Sequence, residues 1–146
     1  MGDMNRVKQN VADFLQSLGV RAVLESSGAF SVGHGSARCF INVWSPRPED
    51  PSVPSIIQLN IPLLADIDES PEANQYVAFH ADDYIFGHLS LGRDDFGKVN
   101  MYMTHHLLGD ETTEEEFGRV LMSMLGTADN LDDQLQGEFG GTVFHD

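Results

Sequence analysis

Residues 98–108 read Lys98-Val99-Asn100-Met101-Tyr102-Met103-Thr104-His105-His106-Leu107-Leu108. In an extended chain, alternate side chains point to opposite faces. Val99, Met101, Met103 and Leu107 then share one face, and Asn100, Tyr102, Thr104 and Leu108 share the other. That period of two predicts a strand buried on one side only. Upstream, Gly92-Arg93-Asp94-Asp95-Phe96-Gly97 makes an acidic hairpin tip, and Tyr84 to Leu91 is its partner strand. In that partner Ile85, Leu89 and Leu91 are expected on the apolar face, with Tyr84, Phe86 and His88 opposite.

The same alternation recurs earlier. Ala37 to Trp44 places Cys39, Ile41 and Val43 against Phe40, Asn42 and Trp44, and Ser55 to Leu63 places Ile57, Leu59 and Ile61 on one face. Prolines 46, 48, 51 and 54 make the intervening segment a loop, because proline removes a ladder donor. Val20 to Glu25 and Ala29 to Val32 are shorter strand signals, and Gly33-His34-Gly35 reads as a turn.

Three helices complete the pattern. Asp3 caps a first helix whose apolar positions Met4, Val7, Val11, Phe14, Leu15 and Leu18 recur at helical spacing, and Gly19 stops it. Ser70-Pro71 is an N-cap followed by proline at the first helical position, opening a short helix to about Ala81 that turns Ala73, Val77 and either Tyr76 or His80 inward. Thr112 or Thr113 with Glu115 or Glu116 forms a capping box for a long last helix, from Phe117 through Leu135, that ends at Gly137 or Gly140. Gly140 to Asp146 is expected to be a loose tail. The element order is α-β-β-β-β-α-β-β-α. Hairpin-linked strands make this an α+β chain, an antiparallel β-sheet flanked by helices on one face, and 146 residues suit one domain.

With the apolar faces turned to the helices, the other face collects Phe40, Trp44, Tyr84, Phe86 and Tyr102. A solvated sheet face is not ordinarily so aromatic, and such patches mark interfaces. The competing reading is that the proline loop or the tail covers it.

Catalytic and metal chemistry finds no support. His105 and His106 are neighbours on a strand and point apart, so they cannot easily share one ion. Cys39, the sole cysteine, excludes an intrachain disulfide and reads as a small buried hydrophobe rather than a nucleophile paired with His34. There is no GxSxG, Walker or GxGxxG pattern. Asp129, Asp132 and Asp133 near a helix C-terminus read as a solvated face, or else a site for a basic partner. No cofactor and no enzymatic activity are expected.

Charge narrows the partners. The net charge is −15, with four basic and three acidic residues up to position 45 and therefore −16 beyond it. Such a chain repels nucleic-acid phosphates and anionic membrane surfaces and favours a basic polypeptide. The polar start MGDMNRVKQN makes the cytoplasm the expected compartment.

The stretches LNIPLLADI (59–67), SPEANQYVAFHADD (70–83), YIFGHLSLGR (84–93), KVNMYMTHHLLGD (98–110) and TADNLDDQLQGEFGG (127–141) resemble the actinobacterial YbjN-like proteins, a group similar to type III secretion chaperones. The resemblance covers about residues 4–141. It implies an antiparallel sheet flanked by helices, frequent dimerisation and binding of a partner segment without nucleotide. Members are labelled sensory-transduction regulators or peptide-binding chaperones, and the group brings no catalytic residues. The expected function is therefore a non-enzymatic protein- or peptide-binding module, chaperone-like or regulatory. The alternatives are a small-molecule or metal-responsive sensor with a polar pocket gathering His88, His106 or Asp82–Asp83, and a structural subunit whose aromatic face closes a homodimer.

Overall fold

The computed structural model describes residues 3–143. The elements are α1 (Met4–Leu18), β1 (Ala22–Leu24), β2 (Phe30–His34), β3 (Ala37–Trp44), β4 (Ile56–Ile67), α2 (Pro71–His80), β5 (His88–Arg93), β6 (Val99–Leu108), α3 (Glu114–Phe139) and β7 (Thr142–Val143). This is the expected α+β order with one strand added at the end.

The caps form as the sequence predicts. Asp3 Oδ1 accepts the Arg6 amide at 3.1 Å, and Gly19 closes α1 in the left-handed conformation (φ 71°). The Ser70 hydroxyl accepts from Ala73, and the Thr113 hydroxyl from Glu116. Of the two glycines, Gly140 ends α3.

The strands lie in the order β1-β2-β3-β4-β6-β5, antiparallel throughout. Pro62 sits inside the central strand β4, where a missing amide disrupts a ladder; the β4–β6 register shifts directly after it. β3 pairs with residues 56–60 of β4, and β7 pairs with Leu64 and Ala65 farther along. Residues 142–143 are therefore a paired strand rather than loose tail, with Val143 buried; residues 144–146 lie outside the described residues.

The core fills the space between one sheet face and the helices. Cys39, Ile41, Ile57, Leu59, Ile61, Met101, Met103 and Leu107 come from the strands, meeting Val7, Val11 and Leu15 of α1 and Phe117, Leu121, Met124 and Leu125 of α3. Cys39 is fully buried, and desolvation pushes its thiol up to about 12. It is inert, as its strand position suggests.

The aspartates near the end of α3 need a correction. Asp132 is 2% exposed, and Asp129 is half-buried. The β2–β3 hairpin turns at Gly35-Ser36, one residue later than expected, and lies on them. Asp129 Oδ1 accepts the Ser36 amide at 2.8 Å and its hydroxyl at 3.0 Å, while Ser36 Oγ lies 2.6 Å from Asp132 Oδ2. These carboxylates tie a hairpin to a helix; of the three, only Asp133 is exposed. Gly35 is required there twice over. Its φ is +60°, and an added Cβ would stand 2.1 Å from Asp129 Oδ1. Gly35→Ala is expected to cost roughly 1–2 kcal/mol from the left-handed backbone alone, and more from the displaced carboxylate. The check is a lower urea midpoint at unchanged slope.

Asp132 also fixes a pH dependence. Desolvation comes first among the causes that raise its pKa, and among the described residues Oδ1 has no hydrogen-bond partner. A raised folded pKa means that its contribution to stability is full below the unfolded carboxyl value and is lost as pH rises through the folded value. Asp132→Asn removes that loss. Measured against the parent by urea unfolding from pH 3 to 7, the variant should gain relative stability as pH rises. A difference independent of pH would contradict the assignment.

Candidate functional site

The outer face is the side of the sheet without helices. β3 sends Arg38, Phe40, Asn42 and Trp44 there, β4 sends Ile56, Gln58, Asn60 and Pro62, and β6 sends Tyr102, Thr104, His106 and Leu108. Register aligns them in rows across the strands: Trp44 with Ile56 and Leu108, Asn42 with Gln58 and His106, Phe40 with Asn60, Thr104 and His88.

Trp44 anchors the end of this face. Its indole Nε1 donates to Gln58 Oε1 at 3.1 Å, and its ring stands edge-on to His106 at 6.2 Å. His106 Nε2 lies 3.3 Å from the same Gln58 oxygen, and the His88 and His106 rings are 6.5 Å apart. Thr104 Oγ1 donates to Asn60 Oδ1 at 2.7 Å, and Asn100 Nδ2 to the Tyr102 hydroxyl at 3.3 Å. These polar groups thus pair with one another across the strands. Trp44 is 39% exposed and Leu108 46%, so the proline loop leaves the Trp44 end open.

No aspartate or glutamate occupies an outward strand position from Arg38 to Trp44, Ile56 to Pro62, His88 to Gly92 or Asn100 to Leu108. Asp66 stands beyond the β4 irregularities. In a chain of net charge −15 this is a local exception. Partial burial, then the neighbouring His88, hold His106 below the usual histidine range. Formal charge reaches this face at its β2 edge, where Arg38 Nη1 donates to Ser31 Oγ at 2.8 Å and Ser31 Oγ donates to Glu25 Oε1 at 2.6 Å.

Of the five aromatic residues expected together, Phe40, Trp44 and Tyr102 lie on this face, in separate rows. Tyr84 and Phe86 do not. The chain is irregular from Asp82 to Gly87, and β5 begins only at His88. Gly87 has φ 91°, and a Cβ there would stand 2.8 Å from Met103 Cγ; its amide donates to His105 Nδ1. Phe86 consequently packs edge-on to His105 at 5.8 Å, on the helix side of the sheet. It lines a cavity of about 330 Å³ with Val120, Glu115 and Glu116 of α3. Tyr84 lies against the Tyr76 hydroxyl of α2, and desolvation first, then Tyr76, push it up to about 12. Ile85, expected inward, is 90% exposed. Ile56, Gln58 and His106 were missing from the expected face, and Leu108, read as outward, was not counted among the contact residues. Their signal was the alternation already read in β4 and β6, followed outward in β6 except at His106 and not at all in β4.

His105 and His106 point to opposite faces, as expected. His88 and His106 do come together, but among the described residues no three His, Cys, Asp or Glu side chains gather to hold a metal ion. Among the same residues, no helix is long and apolar enough to cross a membrane.

None of the curated proteins matches the sequence. Several solved structures share the fold, two of them as follows. One chain of the ExsC–ExsE complex is 20% identical over 91% of this chain and 96% of its own, with a TM-score of 0.60. YbjN from E. coli is 12% identical over 88% of this chain and 92% of its own, with a TM-score of 0.64. The sequence itself matches, over residues 5–146, the family described as T3SS (YopN, CesT) and YbjN peptide-binding chaperone 1. The YbjN-like, type III secretion chaperone-like resemblance read from the sequence is therefore correct, and with it the expectation of a binding protein rather than an enzyme. This chain belongs to the T3SS and YbjN peptide-binding chaperone family.

Proposed function

We infer that the protein binds a segment of another polypeptide on the outer face of its sheet, with Phe40, Trp44 and Tyr102 as contact residues. The observation that carries this reading is an aromatic face with no aspartate or glutamate at the outward positions named above on β3 to β6, on a chain of net charge −15. Family membership supports a polypeptide ligand, and one crystal structure that shares the fold is a complex, that of ExsC with ExsE. Buried aromatic anchors dominate the energetics of such contacts. The acidic remainder of the surface favours a client with basic flanks by long-range attraction. The role is that of a chaperone-like or regulatory protein acting as one domain in the cytoplasm.

The test is cross-linking in intact cells followed by affinity capture and mass spectrometry. The expected result is one reproducible polypeptide, with cross-links mapping to β3, β4 and β6. Recovery of general stress proteins alone, or cross-links confined to the helix side, would count against the reading. Cross-links only between copies of this chain would identify the face as a homodimer interface instead.

A further inference from the structure

We propose that the cleft between α2 and the end of α3 captures a single cationic side chain, arginine or lysine, of the bound polypeptide; this rests on the reading that the ligand is a polypeptide.

α2 buries only Ala73 fully. Its Glu72, Tyr76 and Phe79 fall at helical spacing on one side and open onto a cleft of about 390 Å³, closed opposite by Glu138 and Phe139 of α3. The walls are aromatic. The Tyr76 ring lies 5.4 Å from Phe139, nearly perpendicular to it, and 4.4 Å from His80. Phe79 is 73% exposed at the mouth, an arrangement that water alone does not favour.

The charge in the cleft is of one sign. Glu72 and Glu138 line it, and no lysine or arginine does. Neither glutamate forms an ion pair among the described residues. His80 already sits 2.6 Å from Asp83. The field of Glu138 and Asp83 reaches the Tyr76 hydroxyl and helps burial to raise its pKa. A guanidinium or ammonium group finds here what it needs in one place: ring faces for cation–π contact and carboxylates at the rim. An apolar side chain would leave the carboxylates unpaired, and an acidic one would be repelled. Because the outward positions of β3 to β6 named above hold no aspartate or glutamate, the two surfaces divide the work: contact area on one, charge selection on the other.

The probe is a fluorescein-labelled decapeptide of alternating leucine and arginine, with a second peptide carrying citrulline in place of arginine. Fluorescence anisotropy is read with the parent protein, Phe79→Ala, Glu138→Gln and Trp44→Ala. Phe79 is exposed, so its removal should leave the far-UV circular dichroism unchanged. The expected result is at least fivefold weaker binding of the arginine peptide to Phe79→Ala and to Glu138→Gln, with little change for the citrulline peptide. Phe79→Ala removes no charge, which separates capture in the cleft from general attraction to an acidic protein. Parent-like affinity in both cleft variants, with loss confined to Trp44→Ala, would overturn the cleft while leaving the sheet-face reading intact. No binding of either peptide to the parent would overturn it too, and the capture experiment would still judge the sheet face. A change in sedimentation mass with Phe79→Ala, without a change in peptide affinity, would assign the cleft to a second copy of the chain and overturn the proposal.

Discussion

Phe117→Ala is expected to lose about 3–5 kcal/mol of unfolding free energy, the usual range for truncating a buried phenylalanine. For a domain whose total stability is of order 5–15 kcal/mol, that is a large share. Phe117 is fully buried and belongs to the largest fully buried side chains. It lies near the start of α3, and its ring meets Phe14 of α1 at a centroid distance of 5.5 Å. The two helices approach closely at this point. A Cβ on Gly118 would stand 2.8 Å from Leu18 Cδ2, so α1 has little freedom to slide into the space that Phe117 vacates. The cavity therefore persists, and its cost adds to the lost transfer free energy. Urea unfolding followed by far-UV circular dichroism measures the loss. A cost below about 1 kcal/mol would mean that α1 does collapse onto α3, and that the helix layer is softer than the packing implies.

The sequence revealed most of what is local. Alternation in residues 37–44, 56–62 and 98–108 assigned inner and outer faces correctly, because each of these strands is buried on one side and tolerates no slip. The caps at Asp3, Gly19, Ser70 and Thr113 were legible because they rest on bonds between near neighbours. What stayed hidden is non-local. Nothing near Asp129 and Asp132 indicates that Ser36, more than ninety residues away, will lie on them. An acidic pair on a helix reads as solvated until the turn above it is known. Tyr84-Ile85-Phe86 fits a strand as well as any segment here, yet Gly87 takes a left-handed φ and β5 starts after it. That one backbone angle moved two of the five expected contact residues to the helix side. The outer face itself was half visible: three of its aromatic members were read from alternation, but the absence of aspartate and glutamate from the outward positions of β3 to β6 named above was not.

Trp44→Ala should weaken binding of the captured partner by about 2 kcal/mol or more, roughly thirtyfold, while leaving the fold intact. The fold should survive because Trp44 ends β3, is 39% exposed and, among the described residues, its side chain makes one hydrogen bond, to Gln58. The affinity should fall because a partner lying across β3, β4 and β6 would complete the burial of the indole, and the truncated site would leave a gap beside Ile56 and Leu108. His106→Glu is the complementary change. It removes no apolar area but places a carboxylate at an outward position of β6, where a covering chain would have to desolvate it. If contact is with rings and aliphatic groups, both substitutions weaken binding. If the face merely attracts basic segments, His106→Glu strengthens binding and Trp44→Ala hardly matters. The molecule carries its own reporter for this choice, because Trp44 is its single tryptophan. Partner binding at this face should shift its emission to the blue and protect it from acrylamide quenching. Binding elsewhere should leave both unchanged.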